Sequence, residues 1–348
     1  IWNTLNQWAI KAEDANHDGD WECDDDPDSF TNTTLHQIWF RAAVCGNAKV
    51  ESDEQCDDGN DDDEDGCTSL CEIVKKGKVW VNPYTGSDDL ENGSEDAPYK
   101  SLQLAVNAAA ENGTVYLSVG QHDGPVVVDT PGVSIEGAPP VNGNYASYIN
   151  CATANDAAIT VTANNVRLYQ LSVGNGVAGV HVLGAEEAPV NGVTLDSLNI
   201  SSQHSEEASG QDIAGARLEH VYYATLTNLE ISNITGGKGT PGAKAGTGGV
   251  GAGVMLQNSV ACTLGNMNIS SVLGGAGGDA NQGMSNKYAG TGGAGAGVHL
   301  FDSTGSTLSH VTVDEVTGGV GGMGVGWSSK AGAGGVGAGL FLAGASAG

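Results

Sequence analysis

Positive charge is scarce in this chain. Its 348 residues hold 13 lysines and arginines against 42 aspartates and glutamates, a net charge of −29. Such a surface repels phosphate backbones and anionic lipid, which excludes nucleic acid and membrane surfaces as partners and favours cations or salty surroundings. Aromatic residues are few as well, at 5%, so the core must rest on stacked aliphatics. No apolar run is long enough to cross a bilayer as a helix. The chain opens at Ile1 without a signal-peptide pattern and reads as a processed or partial chain.

What is present is unevenly spread. Residues 1–72 carry 20 of the 42 acids, and residues 236–348 carry 34 of the 54 glycines. Between these extremes a pattern recurs. Ala-Gly appears at Ala178-Gly179, Ala214-Gly215, Ala252-Gly253, Ala296-Gly297 and Ala338-Gly339, at spacings of 36, 38, 44 and 42 residues. Each pair precedes an alternating triplet with apolar ends: Val180/Val182, Ala216/Leu218, Val254/Leu256, Val298/Leu300 and Leu340/Leu342. Period-two alternation of this kind predicts strands with one buried face, one per repeat of a solenoid. A second strand recurs in phase, at Leu195/Leu198/Ile200, Leu226/Leu229/Ile231, Leu264/Met267/Ile269 and Leu308/Val311/Val313. Two strands stacking coil upon coil predict a mainly β chain, a parallel β-helix solenoid.

Ahead of the repeats, residues 1–44 read as a helix–loop–helix. Leu5, Trp8, Ala9 and Ala12 have helical spacing, as do Leu35, Ile38, Trp39 and Ala42. The loop between them places oxygens at Asp14, Asn16, Asp18, Asp20, Glu22 and Asp25, with Gly19 at the sharp turn. That spacing wraps hard oxygens around one centre, as calcium requires. The loop resembles EF-hand and dockerin-type calcium loops, departing from them in having Asp25 where a bidentate Glu is usual. A solvated acidic turn is the alternative.

Residues 45–72 hold Cys45, Cys56, Cys67 and Cys71 without an interleaved histidine. The spacing does not suit zinc, so two disulfides and an oxidising, extracytoplasmic location are expected. The block Cys56-Asp57-Asp58-Gly59-Asn60, followed by Asp65-Gly66-Cys67, resembles the cysteine-rich repeat of myxobacterial surface proteins. Its acids either hold a second cation or keep a small module solvated. Cys23 is left without an evident partner, and Cys151 and Cys262 read as small buried residues of the solenoid.

Residues 78–348 form the solenoid. A short strand at Lys78–Pro83 leads through Pro98 to an amphipathic helix bearing Leu102, Leu104, Ala105, Val106, Ala108 and Ala109. Asn112-Gly113 is expected to stop it, before a strand at 114–118. This order resembles the N-terminal cap and first coils of right-handed, pectin-lyase-like β-helices. That resemblance implies the fold and not the activity, because the scaffold serves enzymes, adhesins and spikes alike.

Three glycine-rich insertions, 236–251, 274–295 and 318–337, join one coil to the next. Glycine keeps a three-residue phase, at 236, 239, 242, 248 and 251 with a break at Ala245, and again at 274, 277, 283, 292 and 295. With one proline in the first insertion and none in the others, collagen is excluded. The phase predicts an ordered sheath of polyproline-II-like segments in close backbone contact, with floppy loops as the alternative.

Catalytic groups are harder to find. The resemblance implies either Lys or Arg beside a calcium-bound uronate, or paired aspartates on adjacent strands. From residue 120 onward only Arg167, Arg217, Lys238, Lys244, Lys287 and Lys330 are basic. The best cluster is the corner His204, Glu206, Glu207 and Asp212, near Glu186 and Glu187, which also reads as a solvated corner. His181 and His299 are expected at the surface. The sequence leans away from an enzyme. It predicts a secreted or cell-surface structural or adhesive protein that is calcium-stabilised, self-associating through its uncapped last coil, and able to form filaments. A polysaccharide lyase or glycosidase, and a non-catalytic glycan-binding module, are the alternatives.

Overall fold

The five Ala-Gly pairs stand side by side. In the computed structural model Ala178, Ala214, Ala252, Ala296 and Ala338 align in register on successive parallel strands. The structure describes residues 45–46, 54–57, 59, 67–88, 93–151, 153, 155–205, 209–280, 288–324 and 330–344. The aligned strands belong to a seven-stranded sheet. It begins with Val126–Val128 and Ala157–Val161 and ends with Gly295–Phe301 and Gly337–Ala343. A ten-stranded sheet faces it. That sheet runs from Lys76–Val81 and Ala109–Leu117 through Arg167–Gly174 and Thr194–Ser201 to Thr307–Thr317. A narrow third strip pairs Val190–Asn191 with Val221–Tyr222 and continues through bridges to Val260 and Thr304. All these pairings are parallel, so the chain is a parallel β-helix.

The Ala-Gly motif has a steric cause. A Cβ on Gly179, Gly215, Gly253 or Gly297 would collide with Ile200, Ile231, Ile269 or Val313 of the facing sheet. Glycine lets the two sheets approach there. The coil bends just as regularly. Gln170, Ser197, Asn228, Asn266 and His310 occupy one rung of the ten-stranded sheet, and all have φ between 51° and 56°. One left-handed residue turns the chain, so Leu195 and Leu198, three apart, both point inward. Asn and Ser tolerate that conformation better than branched residues do. Leu168, Leu171, Leu195, Leu198, Ile200 and Leu218 are fully buried. Each such side chain stabilises the fold by roughly 1.5–3 kcal/mol.

The first coil is covered by a helix, Leu102–Ala108, capped by Ser101 and burying Leu102, Ala105, Val106 and Ala108. It stops at Ala108, ahead of the expected Asn112-Gly113. Ala109 is already extended and pairs with Lys76, and Asn112 lies within the strand Ala109–Leu117 at φ 59°. Pairing with the neighbouring strand outweighs another half-turn of helix. Two disulfides, Cys45–Cys71 and Cys56–Cys67, tie the acidic module, and Cys56 and Ile73 pack onto the β-helix core. Cys151 and Cys262 are free and buried. Residues 1–44, with the candidate calcium loop and Cys23, lie outside the described residues, as do Asp58 and Asp61 to Asp65.

The glycine insertions are ordered where described. They form two layers of extended segments. The outgoing arms begin at Gly236, Gly274 and Gly318, and the returning arms end at Gly251, Gly295 and Gly337. The three-residue period divides the work. At the first position the amide donates to the next coil, as from Gly236 to Leu273, Gly239 to Ala276 and Gly277 to Val320, at 2.8–2.9 Å. At the second, the amide or carbonyl bonds across to the other layer. At the third the residue points outward, as Lys238, Ala276 and Val320 do. A Cβ at Gly248, Gly275, Gly290 or Gly293 would overlap a backbone carbonyl of a neighbouring arm. Only a missing side chain permits this approach.

Candidate functional site

The outer face of the ten-stranded sheet gathers the polar and aromatic groups that the core excludes. In Lys76–Val81, Val79 and Val81 point inward, so Trp80 points out. Tyr116 in Ala109–Leu117 does so likewise, between buried Val115 and Leu117. Register then sets Trp80, Tyr116, Glu136, Tyr169 and Asp196 on one rung, coil after coil. The rings of Trp80 and Tyr116 are 5.3 Å apart and tilted by 33°. They line a cleft of about 300 Å³ together with Glu95, Pro98 and Gly137–Pro139.

Arg167, two residues before Tyr169 on the same strand, organises the next coils. Its guanidinium lies 4.1 Å from the centre of the Tyr169 ring. Nη1 pairs with Glu136 at 2.9 Å, and Nη2 stands 3.8 Å from Asp196. Asp196 also accepts hydrogen bonds from Asn228 at 2.8 Å and Ser197 at 3.0 Å. Tyr145 joins this group through a hydrogen bond with Ser197. Burial raises its pKa, as do the nearby charges of Glu230 and Asp196, against a hydrogen bond to Ser197 that lowers it. Planar rings with carboxylates, an amide and hydroxyls along one edge suit a polyhydroxylated ligand, whose C–H faces stack and whose hydroxyls hydrogen-bond.

The residues singled out from the sequence fall elsewhere. His204 is exposed, with Nδ1 3.1 Å from the Ser202 carbonyl. Asp212 accepts from the Val250 amide at 2.7 Å and so holds the entry to a strand. Glu206 and Glu207 lie outside the described residues, and Glu186 and Glu187 sit on an exposed turn. No catalytic arrangement forms among the described members of this corner.

The outer face of the seven-stranded sheet carries a second group. His181 Nε2 is 3.3 Å from Glu219 Oε1, and Arg217 Nε contacts the same oxygen. Neither nitrogen meets strict hydrogen-bond alignment. His181 first, then Arg217, hold the Glu219 carboxyl down at about 2 against burial, which raises it. His299, expected at the surface, is buried at 8% exposure. It stands in register between Met255 and Phe341, against whose ring it packs edge-on at 5.1 Å. Neither ring nitrogen has a hydrogen-bond partner, and burial lowers its pKa against the opposing charge of Asp212.

The aromatic rung escaped the sequence reading because the early strands lack the Ala-Gly mark. The usable signal was local: a single aromatic between two aliphatics in Val79-Trp80-Val81 and Val115-Tyr116-Leu117.

No protein-family model matches the chain, and no curated protein sequence does. Solved structures with some likeness include a pectin methylesterase in complex with a hexasaccharide (TM-score 0.32, 10% identity, covering 68% of this chain and 66% of that one). Others are pectin methylesterase PemA from Erwinia chrysanthemi (0.36, 9%, 68% and 80%) and a pectate lyase (0.31, 14%, 68% and 70%). The chain thus spans just under two thirds of the first of these. Likenesses this slight carry no functional weight; the strand register itself establishes the β-helix.

Proposed function

We propose that this protein is a secreted or cell-surface β-helix that binds a polysaccharide along the outer face of its ten-stranded sheet. The observation that carries this reading is the rung Trp80, Tyr116, Glu136, Tyr169 and Asp196, with its aromatic-lined cleft at the first coils. Two disulfides support an oxidising compartment, and the stacked coils supply a stiff base for adhesion. The spacing of oxygens from Asp14 to Asp25 supports calcium as a stabiliser of the N-terminal module. Self-association into filaments is a further part of the proposal, and electron microscopy with calcium and then with chelator tests it.

Binding is tested by titrating the full chain with neutral oligosaccharides and comparing Trp80→Ala. Saturable binding that weakens about tenfold or more in the variant is the expected result. Equal binding by both proteins would move the site elsewhere.

A second reading, turnover of the bound glycan, rests on Arg167 lying between two carboxylates, Glu136 and Asp196. Release of shortened or unsaturated sugars that ceases in Glu136→Gln would favour it over binding alone.

A further inference from the structure

One row of the glycine insertions carries positive charge, in a chain of net charge −29. Lys244, Tyr288 and Lys330 stand on three successive coils, joined by parallel bridges from Lys244 to Tyr288 and from Tyr288 to Lys330. Backbone bonds from Ala245 to Tyr288 (3.1 Å) and from Ala289 to Lys330 (3.0 Å) pin the row to the sheath. All three residues are exposed, Tyr288 by 53%. Lys330 Nζ lies 5.9 Å from the Tyr288 ring centre.

Among the described residues from 120 onward, the other basic groups are paired. Arg167 pairs with Glu136 and Asp196, Arg217 with Glu219, and Lys238 with Asp279 at 3.6 Å. Among the described residues, Lys244 and Lys330 have no carboxylate within ion-pairing distance. We propose that the row Lys244–Tyr288–Lys330 is a binding site for a linear, carboxylate- or sulfate-bearing polysaccharide, separate from the aromatic cleft at the first coils and independent of its function.

Spacing and magnitude both favour this ligand. Parallel strands lie about 4.8 Å apart, so the two lysines are separated by about 10 Å along the row. That is roughly a disaccharide of an extended chain, with the tyrosine between to meet a sugar face or hydroxyl. Exposed charge contacts are worth about 1 kcal/mol or less each, too little to hold a second copy of this acidic protein. A polymer that repeats its charge along its length multiplies such weak contacts. The surrounding negative surface confines a polyanion to the row, and screening shortens its reach to about 8 Å at physiological salt.

The test is binding of the full chain to polygalacturonate, to a neutral glucan and to poly-glutamate, at low and high salt. Expected are binding to polygalacturonate that high salt abolishes, and about tenfold weaker binding in the Lys244→Ala/Lys330→Ala double variant. Tyr288→Ala should weaken it less. The row is fully exposed, so unchanged thermal unfolding is expected and serves as the folding control. Undiminished binding by the double variant, no binding to polygalacturonate at low salt, or equal affinity for poly-glutamate would each overturn the proposal. The last would assign the row to acidic peptides. Failure of the aromatic cleft would show instead as loss of neutral-glycan binding alone, through Trp80.

Discussion

Gly293 donates its amide hydrogen to the carbonyl of Gly275 across 2.7 Å, and Gly275 donates in turn to Gly249 across 2.8 Å. The series extends to Gly237 at one end and to Gly319 and Gly335 at the other. A second series runs beside it through Thr240, Gly246, Gly278, Gly290, Gly322 and Gly332. Two zigzag chains of hydrogen bonds therefore stitch the layers together, without any side chain between them.

Gly293→Ala should be severe, because its Cβ would overlap the Gly249 carbonyl. Destabilisation of about 2–4 kcal/mol is expected in chemical unfolding. Ala276→Ser, at an outward position of the same period, should stay within about 0.5 kcal/mol. If the two variants unfold alike, the sheath contributes nothing to stability.

Arg167→Ala removes the cation that lies between Glu136 and Asp196 and stacks on Tyr169. A loss of about 1–2 kcal/mol is expected from the ion pairs and the ring contact together. Glycan affinity at the cleft should fall with it. Thermal melts and calorimetric titration of one preparation read both effects.

Acid should weaken the fold through Glu219. Its carboxyl is held at about 2 in the folded protein against an ordinary 4.5. A depressed pKa gives stability that is fully present above the unfolded value and is lost as pH falls from about 4.5 towards 2. With allowance for screening at this partly exposed site, about 1–2 kcal/mol is at stake. Glu219→Gln should remove that part of the pH dependence when unfolding is followed from pH 5 to pH 2.

His299 acts at milder acidity. Burial lowers its pKa below 6.5, so the neutral ring is favoured in the fold. Its contribution is complete above that value and declines as pH drops beneath it. Because both ring nitrogens lack partners, His299→Leu should be neutral or stabilising by about 1 kcal/mol. The variant should also melt at a less pH-dependent temperature between pH 7 and 5.

Loss of the Cys56–Cys67 bridge, whose ends are 11 residues apart, should cost about 2–3 kcal/mol. Cys56 packs on the same core as Ile73. The melting temperature of the double Ser variant should therefore fall for the first coils and not for the acidic module alone, as amide exchange at Val79 and Val81 would report.

Much of this was legible beforehand where the same residue types return in register. The Ala-Gly pairs and the ladder from Leu195 to Val313 announce the solenoid, since each coil must fill the same cross-section. The three-residue glycine period announces the sheath for the same reason. The cleft was illegible because Trp80, Tyr116, Glu136 and Tyr169 are different residues on strands of different length. Their alignment is created by pairing, which no single strand encodes. The burial of His299 was hidden for a related reason: its neighbours Met255 and Phe341 lie 44 and 42 residues away and become adjacent only when the coils stack.

The sheath also changes how the column answers force. Its inter-coil bonds lie along the β-helix axis, so tension along that axis opens them coil by coil, as a zipper opens. Coils before Gly236 resist with their sheets alone, whereas those from Gly236 to Gly337 are fastened a second time by the two zigzag chains. Peeling should therefore begin in the unsheathed coils and stall at the first glycine arm. The column has a yielding stretch and a locked one, and the lysine row sits on the locked one.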